Sequence, residues 1–88
     1  MKRIIRKKSF EKSYQKNIKP YPKILQRTLQ RIQLFLEDRN NPILADHQLY
    51  GSKKGLRAFS VTEDIRVIYF ELDTDFVFLD IGTHNQVY

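Results

Sequence analysis

Apolar residues follow two helical patterns in the first half of the chain. The first pattern lies between Ser9, which can cap a helix, and Pro20, which ends it. Its apolar residues recur four positions apart, at Phe10, Tyr14 and Ile18. A second helix is predicted from Pro22 to a stop at residues 39–42, with an apolar stripe formed by Leu25, Leu29, Ile32 and Leu36. The tight connection between them predicts an antiparallel helical hairpin.

Strand patterns dominate the second half. Three runs of β-branched and aromatic residues, 56–62, 65–72 and 76–81, are separated only by short turns, which predicts an antiparallel meander. A weaker strand pattern covers 2–8, and 43–55 has the composition of a loop. The sequence therefore predicts one α+β domain, in which an N-terminal strand and a two-helix hairpin pack on one face of a small antiparallel sheet.

Loop lengths predict which residues oppose one another in this sheet. With three loop residues, 73–75, in the second hairpin, Arg66 opposes Gly82 and Asp64 opposes His84. Opposed residues have Cβ atoms about 4.5–5.5 Å apart, which is close enough for a carboxylate to orient an imidazole. The register therefore predicts an Asp64–His84 pair.

Alternation of side chains assigns residues to the two faces of the sheet. Ser60, opposite Arg66 across a two-residue turn, joins Arg66 and His84 on a face predicted to be free of helices. That face is also predicted to expose Phe70 and Phe78. The face that packs against the helices is predicted to carry Val67, Tyr69, Leu79 and Ile81.

Positive charge is concentrated near the start of the chain. Residues 1–31 contain eleven Lys or Arg against one acidic residue, whereas 32–88 contain five against nine. So basic a segment favours a polyanionic partner, because neutralised phosphates release counterions. The basic residues predicted to contact RNA are Lys7, Lys8, Lys12, Lys16, Lys53, Lys54 and Arg57.

Composition excludes several other functions. The absence of cysteine excludes disulfides, thiolate metal sites and cysteine nucleophiles. No apolar stretch approaches the roughly 18 residues of a membrane span, and the basic start lacks the apolar segment of a signal peptide. We therefore expect a soluble, cytoplasmic protein without a membrane partner.

Three segments, DHQLYG (46–51), GLRAFSVTEDIRVIYF (55–70) and IGTHNQVY (81–88), together resemble the RelE and YafQ superfamily of bacterial toxins. The resemblance extends over nearly the whole chain and implies a RelE-like fold. It also implies the toxic half of a type II toxin–antitoxin module. Such toxins cut messenger RNA on the translating ribosome without a metal or other cofactor, and a cognate antitoxin protein neutralises them.

The resemblance implies a catalytic set, residue by residue. His84 and Tyr88 match the catalytic basic position and the terminal aromatic residue, and Arg66 matches the arginine directed at the scissile phosphate. His47 and Asp64 match acid–base positions of YafQ-like members. The chemistry agrees, since metal-free RNA cleavage needs a base for the ribose 2′-OH, a cation for the phosphorane and an acid for the leaving oxygen.

Two positions depart from the family pattern. Ser60 stands where YafQ-like members carry a further histidine, and Ile65 stands where they often carry an aromatic residue. Two alternative functions stay open, and these two departures favour the second. One is a ParE-like toxin that inhibits DNA gyrase without cutting, and the other is a basic RNA-binding module without activity. The histidine, aspartate and tyrosine positions favour the ribonuclease.

Overall fold

A five-stranded sheet with a helical hairpin on one face forms the structure, a computed structural model that describes residues 2–88. The strands are β1 (Arg3–Arg6), β2 (His47–Gln48), β3 (Arg57–Ser60), β4 (Ile65–Glu71) and β5 (Asp75–Thr83). The helices are α1 (Lys8–Asn17), α2 (Pro22–Glu37) and α3 (His84–Val87). The spatial order is β1-β5-β4-β3-β2. The α+β fold predicted from the sequence is confirmed.

Three local predictions change. α1 begins at Lys8, so Ser9 lies inside the helix and does not cap it. Residues 43–55, predicted as a loop, contain β2 and two 3₁₀ turns, Pro42–Leu44 and Gly51–Lys53. β1 pairs in parallel with β5, at the edge of an otherwise antiparallel sheet. A parallel pair requires a long crossover, which the helices and the meander between β1 and β5 supply.

An aromatic cluster fills the space between the hairpin and the sheet. Phe35 of α2 stacks on Phe59 at 4.5 Å between ring centroids, and it meets Tyr69 and Phe78 edge-on at 4.9 and 5.9 Å. All four side chains are buried. Such aromatic pairs contribute about 0.5–1.5 kcal/mol beyond the burial of their area. The cluster therefore fixes the side of the sheet on which the hairpin lies.

The inner face of α2 differs from the predicted stripe. Leu29 is 54% exposed, whereas Thr28 and Phe35 are buried. Thr28 can be buried because its hydroxyl donates a hydrogen bond of 2.8 Å to the carbonyl oxygen of Ile24, one helical turn earlier. A prediction based only on apolar residues misses a buried threonine whose hydroxyl is hydrogen-bonded within the helix.

The predicted register is correct at one end of the β4–β5 hairpin and wrong at the other. Arg66 opposes Gly82 as predicted, but the hairpin loop has two residues, because the Leu72 N–H donates to the Asp75 carbonyl at 2.8 Å. A β-bulge at Leu79 adds one residue to β5. The missing loop residue and the extra bulge residue cancel, so the predicted pairing at Arg66 survives.

The bulge changes the burial of two side chains. Phe78, predicted to be exposed, opposes Tyr69 and is fully buried in the core. Leu79, predicted to be in the core, is only half-buried and is skipped by the β4–β5 ladder. Its carbonyl oxygen accepts a hydrogen bond from the Ser9 hydroxyl, which ties α1 to the bulge. The predicted apolar patch on the opposite face is therefore reduced to Phe70.

Candidate active site

Helix α3 folds back over the sheet directly after β5. Gly82 permits this, since a Cβ atom there would lie 2.6 Å from Gln86 Oε1 and 3.3 Å from Val87 Cγ1. Gln86 Oε1 accepts a hydrogen bond of 2.8 Å from the Thr83 N–H, as in a capping box. Val87 packs on Ala58 and Ile68. The face predicted to be free of helices, hereafter the site face, therefore carries a short helix.

His84 and Tyr88 meet at the two ends of α3. Their rings lie edge to face, with centroids 4.4 Å apart and planes at 88°. The Tyr88 N–H donates to the His84 carbonyl at 3.0 Å, which closes the turn. Partial burial raises the pKa of Tyr88, and the positive charge of Arg66 acts in the opposite direction. Tyr88 thus lies within the electrostatic reach of Arg66.

Arg66 projects from β4 onto the site face, opposite Ser60 on one side and Gly82 on the other. Its Nη1 atom donates to the carbonyl oxygens of Thr62 and Ile65, at 2.7 and 3.3 Å. These neutral acceptors hold the guanidinium without cancelling its charge. The donors on Nε and Nη2 have no partner among residues 2–88 and can contact a phosphate.

His47 lies in β2, on the side of β4 away from β5 and His84. It opposes Ala58, which opposes Ile68 of β4, so strand spacing puts its Cα roughly 12 Å from that of Arg66. Its Nδ1 atom lies 2.8 Å from the Ala45 carbonyl oxygen. A carbonyl only accepts, so Nδ1 carries a proton in this contact.

Asp64 does not form the predicted pair with His84. The β4–β5 ladder ends at Ile65 and Thr83, and His84 already belongs to α3. Asp64 is exposed in the β3–β4 turn, where its backbone N–H donates to Thr62 Oγ1 at 3.2 Å. The prediction of this pair was wrong because β5 ends at Thr83, so His84 is helical and cannot continue the ladder. The acid–base role of Asp64 remains a prediction.

The predicted RNA-contacting residues fall into two environments. Lysine side chains remain open to solvent on α1 and on the turn before β3, namely Lys7, Lys8, Lys12, Lys16 and Lys54, with Lys53 half-buried. Arg57 differs, since it opposes Tyr69 and lies on the hairpin side of the sheet. Its Nη2 atom is 2.6 Å from Asp46 Oδ1. The RNA contact of Arg57 remains a prediction, and its charge already has a partner.

The Asp46 carboxylate, which sequence analysis did not single out, anchors the loop before His47. Its side chain is 5% exposed and accepts hydrogen bonds from both Arg57 and the Tyr69 hydroxyl. Burial raises the pKa of Tyr69, and the bond to Asp46 raises it further. Gln86 was also missed, although Thr83 followed three residues later by Gln86 is a capping-box pattern.

Residues 2–88 contain neither a membrane-spanning helix nor a cluster of metal ligands. No helix there combines the length and the apolar character needed to cross a membrane. The same part of the chain contains no group of three or more His, Cys, Asp or Glu placed to bind a metal ion.

The chain is similar to solved protein structures over its whole length. YafQ from Escherichia coli strain BL21(DE3) is 24% identical, with a TM-score of 0.80, over 100% of this chain and 99% of that chain. In the E. coli DinJ–YafQ complex the match has 25% identity, a TM-score of 0.77 and coverage of 100% and 99%. A copper-bound mutant toxin from Helicobacter pylori matches with 25% identity, a TM-score of 0.75 and full coverage of both chains. No curated protein matches the sequence.

A family model settles the relationship. The model described as "Bacterial toxin of type II toxin-antitoxin system, YafQ" matches residues 2–88. The chain therefore belongs to the YafQ family of toxins from bacterial type II toxin–antitoxin systems.

Proposed function

We infer that this toxin is a metal-independent endoribonuclease that cuts messenger RNA on the translating ribosome in the cytoplasm. The observation that carries the proposal is the convergence of Arg66, His84 and Tyr88 on the site face. An arginine with free donors supplies charge to a phosphate, and histidine is the side chain most often used for proton transfer in catalysis. The resemblance to ribosome-dependent relatives supplies the substrate.

The proposed reaction is an attack by a ribose 2′-OH on the adjacent phosphate. The O2′–P bond forms, the P–O5′ bond breaks, and a proton passes from the 2′-oxygen to the 5′-oxygen through protein side chains. Arg66 stabilises the added negative charge on the non-bridging oxygens. The products are a 2′,3′-cyclic phosphate and a free 5′-hydroxyl.

The positions of the two histidines suit this reaction. Attack and departure occur on opposite sides of phosphorus, so the base and the acid must approach from opposite directions. His84 follows β5 and His47 lies in β2, and β4 with Arg66 runs between them. We assign His84 as one proton-transfer group and His47 as its complement, with Asp64 assisting at the rim.

Tyr88 provides the contact with the base. Its ring is 39% exposed and stands edge-on to His84. Stacking of an unpaired base on an aromatic ring contributes about 1–3 kcal/mol. Tyr88 therefore positions the nucleotide next to the scissile phosphate and holds the His84 ring in place.

A cognate antitoxin is the second proposed partner. DinJ–YafQ is a toxin–antitoxin complex, and the present chain matches its toxin at 25% identity. The chain carries a formal net charge of +6, which favours an acidic segment of the antitoxin over the site face. Co-expression with the neighbouring reading frame should relieve toxicity and yield a co-purifying complex.

A translation extract tests the enzymatic proposal. Added protein should produce new 5′ ends within translated messages, and protein that has been freed of bound metal with EDTA and then dialysed should cut at the same rate. A matched supercoiling assay with DNA gyrase should show no inhibition. Intact messages together with inhibited gyrase would contradict the ribonuclease proposal and favour a ParE-like function. Intact messages with unaffected gyrase would leave only RNA binding.

A further inference from the structure

A basic cleft of about 550 Å³ lies beside the candidate active site, between α2 and the β3–β4 turn. Arg27 and Arg31 line it from α2, and Ser60, Thr62 and Arg66 line it from the sheet and the turn. Arg27 and Arg31 are four residues apart and lie on one side of the helix. None of the sequence motifs included either arginine.

The cleft carries uncompensated positive charge. Three arginines line it against one carboxylate, that of Glu63. None of these four side chains belongs to any of the five ion pairs found within residues 2–88. Like charges four residues apart on a helix repel one another, so Arg27 and Arg31 favour an anion between them.

The cleft is continuous with the site face. Arg66 and Ser60 line the cleft and also oppose each other in the β3–β4 ladder of the candidate active site. The guanidinium of Arg66 is held at the turn by the Thr62 carbonyl, at the boundary between the two regions. An RNA strand with one phosphate at Arg66 can therefore continue towards α2.

We propose that Arg27 and Arg31 bind a backbone phosphate of RNA adjacent to the scissile one, and that this contact sets the register of cleavage. The proposal rests on the proposed ribonuclease function. Arginine suits the role because its planar fork donates two parallel hydrogen bonds to phosphate oxygens. The phosphate belongs to the message, since Arg66, where the scissile phosphate is proposed to lie, also lines the cleft.

Equilibrium binding separates this proposal from the cleavage reaction. The probes are fluorescent 2′-O-methyl oligoribonucleotides of two and six nucleotides, which lack the attacking hydroxyl. The variant is Arg27→Gln with Arg31→Gln. The matched control is Lys19→Gln with Lys23→Gln, which removes the same charge from exposed residues outside the cleft. Thermal melting confirms that both variants are folded.

The arginine variant should bind the six-nucleotide probe at least about tenfold more weakly, because it cannot form the charge-assisted hydrogen bonds. Its log–log salt slope should become shallower by about 0.7 for each phosphate that the protein no longer neutralises. Binding of the dinucleotide, too short to reach the cleft, should not change. Restoring charge with lysines at both positions should recover only part of the affinity, since lysine lacks the fork.

Three outcomes overturn the proposal: equal losses of affinity in the arginine and lysine variants, an equal loss with the dinucleotide, or a loss with vacant ribosomes and none with the six-nucleotide probe. The arm with vacant ribosomes tests whether the two arginines bind ribosomal RNA and not the message. A loss with the six-nucleotide probe while dinucleotide binding is unchanged supports the cleft. A wild-type protein that binds the probes but cuts no message would contradict the ribonuclease function and leave the cleft supported.

Discussion

Arg57 and Arg66 lie on neighbouring strands of one sheet, on opposite faces, and they are held in different ways. Arg57 is bound to the buried carboxylate of Asp46 and to the Tyr69 hydroxyl. Arg66 is bound only to backbone carbonyls of the turn beside it, among the residues that the structure describes. Both side chains are half-buried, so burial alone does not distinguish them.

The difference between their partners distinguishes an arginine whose charge is neutralised from one whose charge is available to a ligand. A carboxylate neutralises the guanidinium and fixes two segments of chain together, whereas carbonyl oxygens orient the guanidinium and leave its charge available. Removal of one partner from a buried ion pair leaves the other uncompensated. We therefore expect changes at Arg57 and Asp46 to reduce stability, and changes at Arg66 to reduce activity.

Replacement of Arg66 by Ala should strongly slow cleavage. Loss of a preorganised donor to a transition-state oxygen costs about 10²–10³ in rate. Lysine at the same position should recover only part of the rate, because a point charge cannot reproduce the fork. Single-turnover cleavage in a translation extract measures the rates. A large drop in unfolding free energy for Arg66→Ala would contradict the comparison with Arg57.

Replacement of Asp46 by Ala should chiefly lower stability. It leaves the Arg57 guanidinium and the buried Tyr69 hydroxyl without their acceptor, at a cost of about 3 kcal/mol. Urea unfolding measures the change, with Asp73→Ala as a control at an exposed aspartate outside the ion pairs formed within residues 2–88. Unchanged stability for Asp46→Ala would show that these three side chains do not anchor the loop before His47.

Replacement of Gly82 by Ala tests how α3 holds the site. The added Cβ would collide with Gln86 and crowd Val87, with an overpacking cost of about 1–3 kcal/mol. Displacement of His84 and Tyr88 should then lower the rate of the chemical step by up to about 10², since small misplacements are costly. Adding Gln86→Ala, which removes the nearest clashing atom, should partly restore activity in the double variant. A fully active Gly82→Ala protein would show that the position of α3 does not matter for cleavage.

The smallest effect concerns acid stability at the far end of β4. Hydrogen bonds from Arg39 and then Lys2 lower the pKa of Glu71. A group with a depressed pKa contributes stability above its unfolded pKa, about 4.5, and loses it as the pH falls through the folded value. The stability of the wild type should therefore decline below about pH 4.5 more steeply than that of Glu71→Gln. If the two proteins gave parallel curves of unfolding free energy against pH, the contacts of Glu71 with Arg39 and Lys2 would not contribute to stability.

The sequence predicted much of this fold because strand and helix periodicities agree with turn lengths. The bulge at Leu79 was not predictable, since it depends on the Ser9 hydroxyl and on core packing of Phe78, both of which are tertiary contacts. The correct pairing of Arg66 with Gly82 was reached through two compensating errors. That pairing therefore gives only weak support to the rules that relate loop length to register.

The members of the candidate site could be proposed from the sequence, but their geometry could not be predicted. Residue types and the family resemblance pointed to Arg66 and His84, but the alternation rule treats the chain after Ile81 as strand. α3 is too short to show a helical period, and only the Thr83–Gln86 capping pattern indicates it. Sequence composition also could not separate Arg57 from Arg66, because the distinction lies in partners that only the fold brings together.

Chemical identification of the RNA ends tests the central assignment most directly. Wild-type protein and a folded His84→Ala variant are each added to translating ribosomes in the same buffer, and the cut ends are analysed. We expect 2′,3′-cyclic phosphates and 5′-hydroxyls from the wild type, and cleavage slower by about 10²–10⁴ in the variant. Cleavage by His84→Ala at the wild-type rate, or different end groups, would contradict the role of His84 and the proposed reaction.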